Sequence, residues 1–121
     1  MQTLQRLAIV ENDLSIRDSL SRLLTLKGFD VVAYGCAEDF LAQNTMTSTD
    51  LILSDIEMPG MDGFQLLRRL QDLNINTPII LMSGRHSLDN KQSLELGVAA
   101  FISKPFLFGD LLANIRMHIA R

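Results

Sequence analysis

With Cys36 as its only cysteine, the chain cannot form an internal disulfide. The thiol reads as a small, partly buried side chain near a helix start rather than a redox centre. Long hydrophobic runs are missing too: the apolar stretches are only a few residues each, which excludes a helix that crosses a bilayer. Met1 to Arg6 lacks the apolar segment of a signal peptide. These absences lead to the expectation of a cytoplasmic protein with no membrane partner. Positive charge is not in excess: 11 Lys and Arg face 14 Asp and Glu, a formal net charge of -3, and the basic residues are scattered. Such a domain is not built to grip nucleic acid directly. Low-complexity tracts, internal sequence repeats and linkers are also lacking. A chain of 121 residues that is 47% apolar and 21% charged is enough for one core and too short for two, so residues 1–121 are expected to form one domain.

What the sequence does contain is an alternation of two periods. Leu7 to Val10, Leu51 to Leu53 and Ile79 to Met82 are continuous apolar runs, the pattern of strands buried on both faces of a parallel sheet. Asp30 to Tyr34 and Ala99 to Ile102 read as two further strands. Helical spacing lies between them. Ile16, Leu20, Leu23 and Leu24 mark a stripe that stops at Lys27-Gly28, and Ala37 to Gln43 forms a short helix with Phe40 and Leu41 inward, followed by a polar loop, Asn44 to Asp50. Asp62 can cap a helix over Gly63 to Asp72 whose Phe64, Leu67 and Leu70 face the sheet. Ser87 to Leu96 offers only Leu88, Leu94 and Leu96, which do not make one stripe, so it should be loosely held. The final helix is better defined: Phe108, Leu111, Leu112, Ile115 and Ile119 share a face, with Asp110 near its start and Arg116, His118 and Arg121 near its end. Five strand–helix units joined by right-handed crossovers give an α/β, three-layer sandwich around a five-stranded parallel sheet.

Polar residues collect where the strands end. The first apolar run is followed by Glu11, Asn12 and Asp13, the third by Asp55, the fourth by Ser83, and the fifth by Ser103 and Lys104. Ligands of open parallel sheets bind outside these carboxyl ends. Taken alone, each residue has an ordinary reading: Asp55 as a turn former, Ser83 as a turn residue, Lys104 as a solvated lysine, Phe101 as edge-strand packing. Asp13 suits a helix cap, His86 a solvated loop, His118 a helix-end charge, and Met58, Met61 and Met82 gap filling. It is their joint placement that points to a site.

Glu11-Asn12-Asp13, the segment Ser-Asp-Ile-Glu-Met-Pro-Gly-Met-Asp-Gly around Asp55, Ser83-Gly84 and Ser103-Lys104-Pro105-Phe106 closely resemble the receiver domain of two-component response regulators, in order and spacing, over essentially the whole chain. The resemblance implies a doubly wound, flavodoxin-like sheet of order 2-1-3-4-5. It also implies Asp55 as phosphoacceptor, Ser83 as the hydroxyl that follows the phosphoryl group, Lys104 as its counter-charge, Phe101 as the aromatic switch position, and a cis peptide at Lys104-Pro105. A Mg2+ cofactor would be held by Glu11, Asn12, Asp55 and the backbone carbonyl of Glu57. The implied partners are a sensor histidine kinase or phosphotransfer protein and a second copy of the domain once phosphorylated. The face that responds would comprise the fourth helix, fifth strand and fifth helix, with Leu88, Lys91, Phe101 and residues near Phe108.

One departure bears on function. Receivers usually carry two adjacent acids after the first strand, whereas here Glu11 is followed by neutral Asn12, which lowers the charge available to a hard cation. Glu57 is expected either to turn its carboxylate toward the metal in compensation or to pair with Arg85, two residues beyond Ser83. Two other readings stand beside the leading one. A degenerate receiver would bind protein partners constitutively. A hydrolase of the haloacid dehalogenase type would also form an aspartyl phosphate, but places its nucleophile after the first strand.

Overall fold

A computed structural model describes residues 4–43 and 46–119; Arg121 and the start of the Asn44 to Asp50 loop fall outside them. Five strands, β1 (Arg6–Val10), β2 (Asp30–Tyr34), β3 (Leu51–Asp55), β4 (Ile79–Ser83) and β5 (Ala100–Ser103), form one parallel sheet in the order β2-β1-β3-β4-β5. The helices are α1 (Leu14–Leu26), α2 (Ala37–Ala42), α3 (Gly63–Asp72), α4 (Asn90–Leu96) and α5 (Phe108–His118), with a 3-10 turn at Met46–Ser48. This is the doubly wound, flavodoxin-like α/β fold that the sequence led us to expect.

Alternation along the strands explains why the central runs are apolar throughout. Leu7, Ile9, Leu51, Leu53, Ile80 and Met82 point to one face and pack with Leu20 and Leu24 of α1 and Leu111 and Ile115 of α5. Ala8, Val10, Ile52, Ile79 and Leu81 point to the other and meet Phe40, Leu66, Leu67 and Leu70 of α2 and α3. Both faces are covered, so the strand interiors are apolar apart from buried Ser54, whose hydroxyl donates to the Asp55 carbonyl at 2.9 Å. β2, at an edge, relaxes this rule and leaves Val32 and Ala33 exposed.

Local chemistry sets the helix ends. The side chain of Asp13 accepts a hydrogen bond from Ile16 N at 3.0 Å and caps α1. Asp62 and Gln65 form a reciprocal capping box on α3, as do Asp89 and Gln92 on α4. The second box explains why α4 begins after Ser87, where the helix was expected to start. α3 differs in its inward face: Leu66 is fully buried, while Phe64 is partly buried, packed against the core and in contact with the ring of His86. In α4, Leu94 is 81% exposed and it is Ser93 that turns inward. α4 therefore contributes less to the core than the expected loose stripe would have. Leu23 of α1, expected inward, is likewise exposed.

Gly63 ties the fold to the rim of the sheet. A Cβ there would lie 2.6 Å from the backbone oxygen of Asp55 and 2.8 Å from Ile56 Cα, both main-chain atoms that cannot step aside. At Gly109 in α5 a Cβ meets nothing within 4 Å. Gly63→Ala is expected to lower unfolding stability by about 1–3 kcal/mol, and Gly109→Ala to leave it equal or raise it by up to about 1 kcal/mol, both read from urea unfolding curves.

Candidate functional site

The carboxyl ends of β1, β3, β4 and β5 bring four chemistry-bearing side chains to one rim. Asp55 closes β3 and lies in register with Met82, the residue before Ser83 on β4. Lys104 follows β5 directly, and its backbone N–H donates to Ser83 O at 2.8 Å, which holds the two segments together. The Lys104–Pro105 peptide is cis. Lys104 Nζ reaches across the rim to both acids, 2.8 Å from Glu11 Oε1 and 3.3 Å from Asp55 Oδ1. Glu11 is fully buried and Asp55 nearly so. Glu11 is fixed on the other side as well, since its Oε2 accepts from Asp13 N at 3.2 Å and its carbonyl accepts from Arg17 Nη1 at 2.8 Å.

Two buried acids and one ammonium leave negative charge uncompensated. Burial pushes the Asp55 carboxyl up to about 6; the Glu11 carboxylate adds to the rise, and Lys104 opposes it. For Lys104, burial works to lower the pKa, but its contacts with Glu11 and Asp55 together hold the ammonium above the usual lysine range. Although Oδ1 of Asp55 is paired with Lys104, it is buried and receives no hydrogen bond. A buried carboxylate oxygen without a donor, beside a second carboxylate, is suited to a small divalent cation. Among the described residues, however, no three His, Cys, Asp or Glu side chains come together to make a complete metal cage. The fit is thus to a cation that takes two carboxylates and completes its shell with carbonyl and water oxygens, as Mg2+ does.

Glu57 and His86 occupy the far side of the rim. Ser83 Oγ donates to Glu57 Oε2 at 2.6 Å, Gly84 N donates to Oε1 at 3.3 Å, and His86 Nδ1 lies 2.8 Å from Oε2. Burial acts to raise the Glu57 pKa, but the hydrogen bonds from Ser83, His86 and Gly84 together hold it below the usual carboxylate range. Neither expected arrangement of Glu57 is the one seen. Its carboxylate is engaged by Ser83, Gly84 and His86 rather than turned toward Asp55, and its side-chain neighbour is His86 and not Arg85, which is exposed. The reason is local. Ser83 Oγ accepts the N–H groups of Arg85 and His86 at 3.0 and 2.8 Å, and this tight turn directs the imidazole inward, against Phe64. The sequence reading favours a solvated loop histidine while allowing that His86, three residues past Ser83, could approach the site; it is an exposed loop residue, and its Nδ1 nevertheless reaches Glu57. Arg17, which anchors the Glu11 carbonyl, left no signal in the sequence. Asn12 is exposed, and Phe101 is partly buried on β5.

Comparisons with known proteins place the chain in a family and bear out the fold. Residues 7–116 match the model of the response regulator receiver domain, and the chain belongs to that family. It is 33% identical over 120 residues to the transcriptional regulatory protein FixJ of Bradyrhizobium diazoefficiens, covering 98% of this chain and 58% of that protein. It is 34% identical over 113 residues to the transcriptional regulatory protein DltR of Streptococcus agalactiae, covering 93% and 50%. The chain thus spans about half the length of these curated relatives. Among solved structures, FixJ-N superposes with a TM-score of 0.81 at 34% identity, covering 96% of this chain and 93% of that one. A CheY-like receiver domain protein from Methanospirillum hungatei gives 0.83 at 34%, covering 95% and 93%.

The elevated pKa of Asp55 carries a stability consequence. Its folded value, about 6, lies above the ordinary 3.8, so the folded state holds the proton more tightly and the fold loses stability as pH rises from about 4 through 6. Without divalent cations, Asp55→Asn is expected to stabilise the domain by roughly 1–3 kcal/mol at pH 7.5 and by much less at pH 4. Urea titrations of both proteins in EDTA at the two pH values measure the difference.

Proposed function

We propose that this domain is a phosphorylation-dependent signalling receiver, with Asp55 as the phosphoacceptor. The observation that carries the reading is the buried Oδ1 of Asp55, which accepts no hydrogen bond and sits 3.3 Å from the Lys104 ammonium beside a second buried acid. A carboxylate oxygen of Asp55 attacks the phosphorus of a phosphohistidine on a sensor kinase or phosphotransfer protein. The new O–P bond forms as the P–N bond breaks, and its electron pair departs with the imidazole, which takes up a proton. Lys104 supplies a compact positive charge to the phosphoryl oxygens, and Ser83 donates its hydroxyl to one of them. The carboxylates of Glu11 and Asp55 and the backbone carbonyl of Glu57 would hold Mg2+, with Asn12 able to offer an amide oxygen. When bound, the ion supplies the charge neutralisation that phosphoryl transfer between anions requires.

The signal leaves through α4, β5 and α5. A groove of about 440 Å3 on this face is lined by Leu88, Leu94, Phe101, Met117 and His118 among others. Leu94 and Met117 are largely exposed, so phosphorylation can change what this surface binds, a second copy of the domain included, without refolding the core. The names of the relatives support transcription as the output. In this reading the domain itself makes no contact with nucleic acid and works in the cytoplasm; among the described residues, no helix is long and apolar enough to cross a membrane.

A degenerate receiver that binds partners constitutively draws support from one observation: among the described residues, no three His, Cys, Asp or Glu side chains gather to hold a metal. Acetyl phosphate separates the two readings. A phosphoacceptor gains the mass of one phosphoryl group only when Mg2+ is present, and Asp55→Ala gains none. Absence of that gain in the wild-type protein at saturating Mg2+ would leave the constitutive reading standing.

A further inference from the structure

Ser83 has one hydroxyl proton and two lone pairs, and all three are in use. The proton goes to Glu57 Oε2 at 2.6 Å, and the lone pairs receive Arg85 N and His86 N. The acceptor that takes the proton is itself held. Glu57 Oε2 lies 2.8 Å from His86 Nδ1, the other oxygen of Glu57 accepts Gly84 N, and the imidazole rests edge-on against Phe64 with ring centroids 5.3 Å apart. These bonds join the loop after β3, which carries Glu57, to Ser83 at the end of β4 and to the loop after it, which carries Gly84 through His86, and rest them on α3.

We propose that His86, acting through Glu57, is a positioning residue that commits the Ser83 hydroxyl to the resting arrangement, so that a phosphoryl group on Asp55 must compete with the Glu57 carboxylate for that proton. The inference rests on Asp55 being the phosphoacceptor. The competition is between two anions for one donor, and it has a direction. A phosphoryl oxygen takes the Ser83 proton only as the Ser83–Glu57 bond breaks. Glu57 then keeps only His86 and Gly84 as donors, while a new negative group stands nearby. Any change that loosens Glu57 without touching Asp55, Lys104 or Ser83 therefore shifts the unmodified domain toward the phosphorylated arrangement. His86 meets that condition. It is half exposed, and its ring nitrogen contacts Glu57 and the Ser83 hydroxyl but not the acids around Lys104. The sequence gives the device to this chain through two residues, an acid two positions beyond Asp55 and a histidine three beyond Ser83.

Beryllofluoride with Mg2+ in excess is a phosphoryl mimic that binds without a kinase and so reads the competition directly. His86→Phe keeps a ring against Phe64 and removes the donor to Glu57; it is expected to bind beryllofluoride about 5-fold more tightly than wild type. Without the mimic, its Gly84 amide resonance should move toward the mimic-bound position. His86→Asn, which restores an N–H near Nδ1, should return toward wild type, and on a Ser83→Ala background His86→Phe should have no effect. Equal or weaker binding by His86→Phe, or a gain that survives in Ser83→Ala, would overturn the positioning role while leaving the phosphoacceptor reading intact. Failure of the wild-type domain to bind beryllofluoride at all would overturn both.

Discussion

Everything at the rim depends on one cation placed between two buried acids. Glu11 is wholly inaccessible, and a buried carboxylate is tolerated only when a partner of opposite charge and a set of hydrogen bonds accompany it. Lys104, 93 residues away in the chain, is that partner. The contact requires β1 and β5 to end at the same level, and they do so only when β3 and β4 lie between them in register. Sheet order and site electrostatics are in this sense one constraint. The arrangement is balanced for Glu11 and unbalanced for Asp55, whose carboxyl is pushed up by burial and by the Glu11 charge. A domain that stabilised itself fully would have no reason to accept a cation or an added group at this point.

Much of this was legible in the sequence, because strand-end chemistry follows from local patterning. Apolar runs of three or four residues mark four of the strands, and the first or second residue after each run lands at the rim whatever the loops do. Glu11, Asp55, Ser83 and Lys104 could be placed in this way. α5 was readable for a similar reason, since Leu111, Leu112, Ile115 and Ile119 are buried along one face. What could not be read were choices made in three dimensions between neighbours. Phe64 and Leu66 lie two apart near the start of α3, and the former packs at the edge of the core where it also meets the ring of His86. Arg85 and His86 are adjacent, and charge alone favours arginine as the partner of Glu57. A backbone turn closed by Ser83 Oγ reverses that preference.

The distribution of order across the sheet follows the same logic. The central strands carry fully buried side chains on both faces, while α4 is only seven residues long, is capped by side-chain pairs, and leaves Leu94 and Leu96 in solvent. Local stability in a protein spans a wide range, and segments that rearrange come from its lower end. Between α3 and α4, Gln71 Nε2 donates to Leu96 O at 2.8 Å, where the helix ends at Gly97 with φ 84°. A helix fastened by a surface hydrogen bond and a glycine cap can shift without opening the core beneath it.

Arg17 gives the rim its asymmetry. From α1 its guanidinium grips the carbonyl of Glu11, and it crowds Gly35 so closely that a Cβ there would lie 3.1 Å from Nη1. Glu11 N is in turn bound to Tyr34 O. The end of β1 is thus tied to a long helix and to the end of β2, while the loops after β3 and β4 are held to each other by a carboxylate, a hydroxyl and an imidazole and rest on the start of α3. The crevice is thus clamped differently on its two sides, by a guanidinium on a main-chain carbonyl at β1 and by side chains gripping one another at β3 and β4.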